Sequence, residues 1–168
     1  MAVGKSSLGK RLARRLQMPF VDLDKLIEAK YGASIAGLFE SRGENWFREE
    51  ESALLHAFVR SADEALMATG GGAPVHHHNV ELMRASGLVI WLKLPSKTIA
   101  RRILQSPNER PLLQGLEGSE LLQRIQEQLI DRSRFYARAH MHLDVESPTA
   151  ADVEHWAQMI EEHPLYSR

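Results

Sequence analysis

Near its start the chain carries a lysine and two serines in the order of a phosphate-binding loop. The segment Gly4-Lys5-Ser6-Ser7 matches the end of the pattern G-x-x-x-x-G-K-[ST], and leucines at a helical spacing follow it. At a helix N-terminus the backbone N–H groups favour phosphate, the lysine can reach the β- and γ-phosphates, and the first serine can bind Mg²⁺. The same four residues are also common as a polar helix start. The first glycine of the full pattern would lie before Met1.

Two acids follow the first apolar segment after that helix. Phe20-Val21-Asp22-Leu23-Asp24 places both carboxylates at the carboxyl end of a predicted strand, where α/β sheets bind ligands. A plain interpretation is a helix N-cap at Asp24 and a solvated acid beside it. The functional interpretation gives one acid to Mg²⁺ and the other to a substrate hydroxyl. The short distance from the phosphate loop favours the second.

Two arginines stand on helix faces that are otherwise apolar. Arg132 shares a predicted face with Leu129 and Tyr136, and Arg48 precedes Glu51 by one helical turn. The acid can orient Arg48 from that position, and two fixed guanidinium groups suit a carboxylate that is held bidentately. The alternatives are an arginine that reaches solvent at a helix end and an ordinary surface ion pair.

Three consecutive glycines, Gly70, Gly71 and Gly72, follow a second predicted strand. One glycine would indicate a simple turn. Three in a row let a ligand approach bare backbone, which a turn does not require. The segment is therefore a candidate binding turn.

Short apolar strands alternate with helices along the whole chain, which predicts an α/β protein with a parallel sheet covered on both faces. The length of 168 residues, with 43% hydrophobic and 26% charged residues, fits one globular domain over 1–168. The polar segment 106–118, which contains prolines and glycines, is predicted to be a mobile lid within it.

Composition excludes several classes of function. The net charge of -1 gives no general field for nucleic acid, and no apolar run is long enough for a transmembrane helix or a signal peptide. The absence of cysteine excludes thiol catalysis and is compatible with the cytoplasm. We expect a monomer that acts on a small molecule, with no nucleic acid and no membrane as partner.

In order and spacing, these motifs resemble the shikimate kinase family from about Gly4 to Val145. The segments that carry the resemblance are, in chain order, Gly4-Lys5-Ser6-Ser7, Phe20-Val21-Asp22-Leu23-Asp24, Gly43-Glu44 with Phe47-Arg48 and Glu51, Thr69-Gly70-Gly71-Gly72, Arg110-Pro111-Leu112-Leu113, and Arg132 with Tyr136. Each motif is common alone, whereas the set is specific. The resemblance implies a P-loop kinase-like fold of three layers and ATP-dependent phosphorylation of the 3-hydroxyl of shikimate, a step towards chorismate and the aromatic amino acids.

The resemblance also implies which residues hold the acceptor. Asp24 corresponds to the acid that binds the substrate hydroxyls and is the candidate catalytic base. Arg48 and Arg132 correspond to the pair that holds the shikimate carboxylate, with Glu51 orienting Arg48. Backbone contacts to the substrate are expected from Gly71 and Gly72.

For the nucleotide, the resemblance implies ATP and Mg²⁺ as cofactors. The residues expected to bind ATP are Gly4, Lys5, Ser6, Ser7, Arg102 and Arg110. Ser6 and Asp22 are expected to hold Mg²⁺, the acid through water. Lys5 and Arg110 are expected to act in catalysis on the phosphate that is transferred, and Arg102 to lie on the adenine side.

Two alternatives stay open beside an active shikimate kinase. One is a kinase of another small hydroxy acid such as gluconate, which the arginines and glycines disfavour. The other is a non-catalytic relative, because the phosphate loop is incomplete. In the family, the strand before this loop is central to the sheet, and its loss would leave buried backbone groups unpaired at about 1–3 kcal/mol each. Such losses exceed a typical stability of about 5–15 kcal/mol, so we expect the chain to be an N-terminally truncated version of a longer product.

Overall fold

Helices and short strands alternate along the chain, as predicted. The computed structural model describes residues 3–61, 64–105, 116 and 118–166. The elements are α1 Lys5–Arg15, β1 Phe20–Asp22, α2 Leu23–Tyr31, α3 Ile35–Arg42, α4 Glu44–Arg60, β2 Leu66–Ala68, a 3₁₀ helix Ala73–Val75, α5 Asn79–Ser86, β3 Ile90–Lys93, α6 Ser96–Leu104, α7 Gly118–Tyr136, β4 Met141–Asp144 and α8 Ala150–Glu161.

Local sequence accounts for several of the helix ends. Ser34 caps α3 by accepting a hydrogen bond from the N–H of Gly37, and Thr149 forms a capping box with Asp152 at the start of α8. The N-cap of α2 is Asp22, whose side chain accepts from the N–H of Asp24. The expectation of a cap at Asp24 is therefore wrong by two residues, because the strand runs directly into the helix.

The strands form two parallel pairs. In one pair β1 lies beside β2, with Val21 opposite Met67. In the other, β3 lies beside β4, with Leu92 opposite Leu143. Both connections pass through helices, as parallel pairing requires.

A cavity of about 510 Å³ separates the two pairs, and it is lined by Leu66, Met67 and Ala68 of β2 and by Ile90 and Leu92 of β3. From the family resemblance, a central strand is expected in the sheet. Within the residues that the structure describes, no strand lies between β2 and β3.

Apolar side chains of the helices pack in three clusters around these strand pairs. The first joins α1, β4 and α8 and includes Leu8, Leu12 and Leu16, the leucines whose spacing predicted α1. The second joins α2, α3 and α4, and the third joins α6 and α7. In the described part of the chain, none of the helices combines the length and the apolar character that crossing a membrane would need.

The predicted lid at 106–118 lies outside the described residues except for its positions 116 and 118. Its closure, and the single domain over 1–168, therefore stay predictions.

Candidate active site

The phosphate loop ends in a left-handed glycine turn that leads into α1. Gly4 has φ 83°, in the left-handed region that favours glycine, and α1 begins at Lys5. No described side chain caps this helix, and no acid lies in its first turn. Its first N–H groups are therefore suited to an anion.

Ser6 and Asp22 meet beside that turn. The Ser6 hydroxyl donates a hydrogen bond of 2.5 Å to Oδ2 of Asp22, and Oδ1 of the same carboxylate caps α2. Ser6 is exposed. A hydroxyl and a carboxylate oxygen side by side at an open surface are the donor types that Mg²⁺ takes together with phosphate and water. The residues present fit that ion.

Asp24 lies farther into the site, against the glycine turn. A methyl group built on Gly70 would lie 3.4 Å from Asp24 Oδ1 and 2.6 Å from Glu51 Oε1, so only glycine fits between the two acids. Burial raises the pKa of Asp24, the charge of Lys5 lowers it and that of Asp22 raises it. The net shift is upward, and a raised pKa suits a carboxylate that must accept a proton near neutral pH.

Arg48 is held by α4 in an enclosed position and is only 6% exposed. Its Nη1 donates to Glu51 Oε2 at 2.8 Å, while Nε and Nη2 both donate to Glu44 Oε1, at 3.3 and 3.1 Å. A methyl group on Gly72 would lie 2.5 Å from the guanidinium, so the glycine turn packs directly on it. The predicted partnership of Arg48 and Glu51 is present in the structure.

Glu51 is 1% exposed, and its Oε1 accepts no hydrogen bond from the described residues. Burial raises the pKa of Glu51, and the charge of Arg48 lowers it. The unpaired oxygen is the one that faces Gly70. This oxygen is therefore a hydrogen-bond acceptor beside the same glycine that Asp24 contacts.

Arg132 and Tyr136 bring α7 to the glycine turn. The Tyr136 hydroxyl donates a hydrogen bond of 2.5 Å to the carbonyl oxygen of Gly71. Burial raises the pKa of Tyr136, while the charge of Arg132 and its hydrogen bond to the phenol lower it. The positive charge of Arg132 also lowers the pKa of Glu51. Arg48 and Arg132, which are predicted to bind one ligand, therefore both act electrostatically on Glu51.

Arg102 lies beside the phosphate loop. Its Nη2 donates to the carbonyl oxygen of Glu146 at 2.6 Å, and a methyl group on Gly4 would lie 3.8 Å from its Nη1. Thr98, also on α6, donates to the Glu146 carboxylate at 2.6 Å. The expected nucleotide arginine and the segment after β4 therefore adjoin the loop. Arg110 lies outside the described residues, so its predicted role is not described by the structure.

A family model described as shikimate kinase matches residues 1–161. The chain belongs to the shikimate kinase family. This confirms the family and the P-loop kinase fold that the motifs predicted, and it confirms a small-molecule kinase with ATP as co-substrate.

Individual shikimate kinases match over most of their length. The protein from Parabacteroides distasonis is 40% identical over 154 residues, which are 91% of this chain and 88% of that one. The crystal structure of the shikimate kinase from Bacteroides thetaiotaomicron superposes with a TM-score of 0.87 at 35% identity, covering 96% of this chain and 92% of that one. The shikimate kinase from Acinetobacter baumannii, solved in complex with shikimate, gives 0.81 at 33% identity, covering 95% and 86%.

Two supports of the candidate site were not predicted from the sequence. Asn79 is fully buried; its amide donates to the carbonyl of Ala73, and its oxygen accepts from Ser52. It anchors the end of the glycine turn to α4, and no local motif marks it. The contact from Tyr136 to the turn was also missed, although its position one turn after Arg132 was a usable signal.

Proposed function

We propose that the chain transfers the γ-phosphate of ATP to the 3-hydroxyl of shikimate. One observation carries this proposal: Arg48, Asp24 and the bare glycine turn meet within contact distance, beside the lysine of the phosphate loop. A guanidinium, a carboxylate and open backbone suit an acceptor that has one carboxylate and several hydroxyls. Family membership supplies the same assignment.

Arg48 and Arg132 hold the carboxylate of the acceptor. Arg48 is anchored on α4 and Arg132 on α7, so the carboxylate is gripped from two helices and the ring is fixed in one orientation. Rigid positioning matters because phosphoryl transfer depends on alignment and charge stabilisation more than on covalent help from the protein.

Asp24 takes the proton of the 3-hydroxyl. As the oxygen–phosphorus bond forms, the bond from the γ-phosphorus to the bridging oxygen of ADP breaks, and the hydroxyl proton passes to the Asp24 carboxylate. Burial raises the pKa of Asp24 and so strengthens it as a proton acceptor. The charge of Lys5 lowers the pKa of the same carboxylate, which supports a phosphate loop next to the acceptor.

Gly4, Lys5, Ser6 and Ser7 hold the phosphates, and Ser6 and Asp22 hold Mg²⁺. When bound, that ion neutralises charge on the phosphate oxygens. Arg102 lies against the nucleotide. Arg110, in the predicted lid, adds positive charge that stabilises the phosphoryl group during its transfer. We also propose a monomer in the cytoplasm, since one chain supplies the whole described site and ATP is available there.

An ADP-release assay with shikimate, with gluconate and without acceptor tests the proposal. We expect release only with shikimate, and near-complete loss of release in Asp24→Asn with shikimate binding kept. The control is Asp131→Asn, an exposed acid on α7. Release without acceptor, or release with gluconate alone, contradicts the proposal.

A second arm of the assay addresses the non-catalytic alternative. It uses a version of the chain that is extended before Met1 by the corresponding strand and loop residues of a shikimate kinase. Release with shikimate from either protein supports the proposal. Absence of release from both assigns the chain to a non-catalytic role.

A further inference from the structure

An acid lies on each side of the buried guanidinium of Arg48. Glu51 takes a hydrogen bond from Nη1, at 2.8 Å. Glu44, one turn earlier on the same helix, accepts from Nε and from Nη2 through a single oxygen. The resemblance assigned an orienting role to Glu51 alone, and Glu44 has no role in the proposed function.

Counting donors shows what the two acids leave free. A guanidinium has five N–H groups, and three of them bond to the two acids, one from each nitrogen. Among the described residues, one N–H on Nη1 and one on Nη2 therefore remain without an acceptor. A carboxylate accepts such a pair bidentately. The acids thus use the donors that the substrate does not need.

Glu44 holds the Nε and Nη2 atoms of Arg48, with which Glu51 makes no hydrogen bond. A single hydrogen bond at Nη1 permits rotation of the guanidinium about its bonds to the stem, whereas a second anchor at Nε fixes its plane. The guanidinium also lies 5.6 and 5.3 Å from the ring centroids of Phe39 and Phe47, and against the turn at Gly72. The Glu44 side chain itself is 42% exposed, whereas that of Arg48 is 8% exposed.

The start of α4 fixes the position of Glu44. Gly43 precedes it with φ 81°, a conformation that favours glycine, and closes α3 by donating its N–H to the carbonyl of Phe39. Glu44 is then the first residue of α4, four residues before Arg48. The turn between two helices therefore aims this carboxylate at the guanidinium.

We propose that Glu44 is a positioning residue for substrate recognition, which locks Arg48 in the orientation that presents its two free N–H groups to the acceptor's carboxylate. This inference rests on the proposed function. The opposite role is electrostatic repulsion, in which Glu44, as an anion near the pocket, weakens binding of the acceptor's carboxylate. Two substitutions separate the two roles.

Glu44→Ala removes both the charge and the hydrogen-bond acceptor, whereas Glu44→Gln keeps an oxygen that accepts from Nε and Nη2. We expect Glu44→Ala to raise KM for shikimate by about threefold to tenfold. Glu44→Gln should stay within about twofold of the parent, because the amide oxygen restores the lock. The kcat and the KM for ATP should change little in both variants, since Glu44 touches no reacting group.

The matched control is Glu49→Ala, an exposed acid on the same helix, with thermal unfolding measured for all variants. Calorimetric binding of shikimate without ATP gives a second readout that needs no turnover. An unchanged KM and affinity in Glu44→Ala, a rise in Glu44→Gln equal to that in Glu44→Ala, or tighter binding in Glu44→Gln overturns the inference. If the parent neither binds nor phosphorylates shikimate, the proposed function itself fails, which is a different result.

Discussion

The hydroxyl of Tyr136 donates a hydrogen bond to the backbone carbonyl of Gly71, across 65 residues of sequence. The contact joins the end of α7 to the glycine turn. Arg132 lies one turn before Tyr136 on the same helix, and its positive charge lowers the pKa of the phenol, which burial raises. One hydroxyl therefore connects two of the elements that are proposed to hold the acceptor.

Tyr136→Phe should weaken acceptor binding without abolishing chemistry. Loss of the hydroxyl leaves the Gly71 carbonyl without this partner and frees the glycine turn from α7, so we expect KM for shikimate to rise by about threefold to tenfold, with stability lower by about 1 kcal/mol. Steady-state kinetics and urea unfolding measure the two effects. Tyr166→Phe removes a hydroxyl near the C-terminus and is the control. Equal KM values for both variants would contradict a role for the Tyr136 contact.

Gly72→Ala should displace Arg48. The added methyl group would lie 2.5 Å from the guanidinium, closer than atoms tolerate, so the arginine must move out of its place between Glu44 and Glu51. We expect shikimate affinity to fall by about tenfold or more, measured by calorimetry. Gly87→Ala is the control, because a methyl group there meets nothing within 4 Å. Normal affinity in Gly72→Ala would show that Arg48 does not hold the acceptor.

The pH profile of kcat/KM for shikimate should report the ionisation of Asp24 as its acidic limb. Burial, the largest cause, raises the pKa of this carboxyl. Only the ionised form accepts a proton, so the rate is full above the raised pKa and falls as the pH drops through it. We expect the acidic limb to lie above the usual range of an aspartate. A rate that stays level down to that usual range would falsify the assignment of Asp24 as the base.

Asp22→Asn should raise the concentration of Mg²⁺ needed for half-maximal rate. The amide keeps the cap of α2, since asparagine is as good a cap as aspartate, but it lacks the negative charge that attracts the cation. The Mg²⁺ dependence at fixed ATP gives the readout, with Asp144→Asn, an exposed acid at the end of β4, as the control. An identical Mg²⁺ requirement in both variants argues against Asp22 as a ligand.

Asn79→Ala should destabilise the fold through the glycine turn. The substitution leaves the Ala73 carbonyl and the Ser52 hydroxyl without their partner in a buried place. An unpaired buried polar group costs about 1–3 kcal/mol, so the free energy of unfolding should drop by at least that amount. Asn45→Ala, at an exposed position of α4, is the control. A stability equal to that of the control would remove the anchoring role from Asn79.

Much of the site was predictable because it consists of short segments with local signatures. Gly4 to Ser7, Asp22 with Asp24, and Arg48 with Glu51 each lie within one turn or one strand end. Helix periodicity and strand ends determine the backbone positions from which these side chains project. The residue types at those positions therefore indicated a phosphate site and a carboxylate site. The family assignment followed from their order along the chain.

Long-range contacts were not predictable in the same way. The pairing of β1 with β2 and of β3 with β4, the hydrogen bond from Tyr136 to Gly71, and the anchoring of the turn by Asn79 join residues far apart in sequence. Neither a periodicity nor a motif encodes which of many apolar or polar partners will meet. Packing of the whole chain selects them.

The sequence by itself therefore determined the family and the class of chemistry, and it indicated candidate side chains for that chemistry, because each of these signals lies in neighbouring residues. Only the tertiary structure decided how the side chains are aimed. Arg48 shows the difference: its spacing to Glu51 predicted one ion pair, whereas the fold enclosed the guanidinium between Glu44, Glu51 and the backbone of Gly72. The orientation of a buried cation depends on every group that surrounds it, and those groups come together only when the helices and the turn pack.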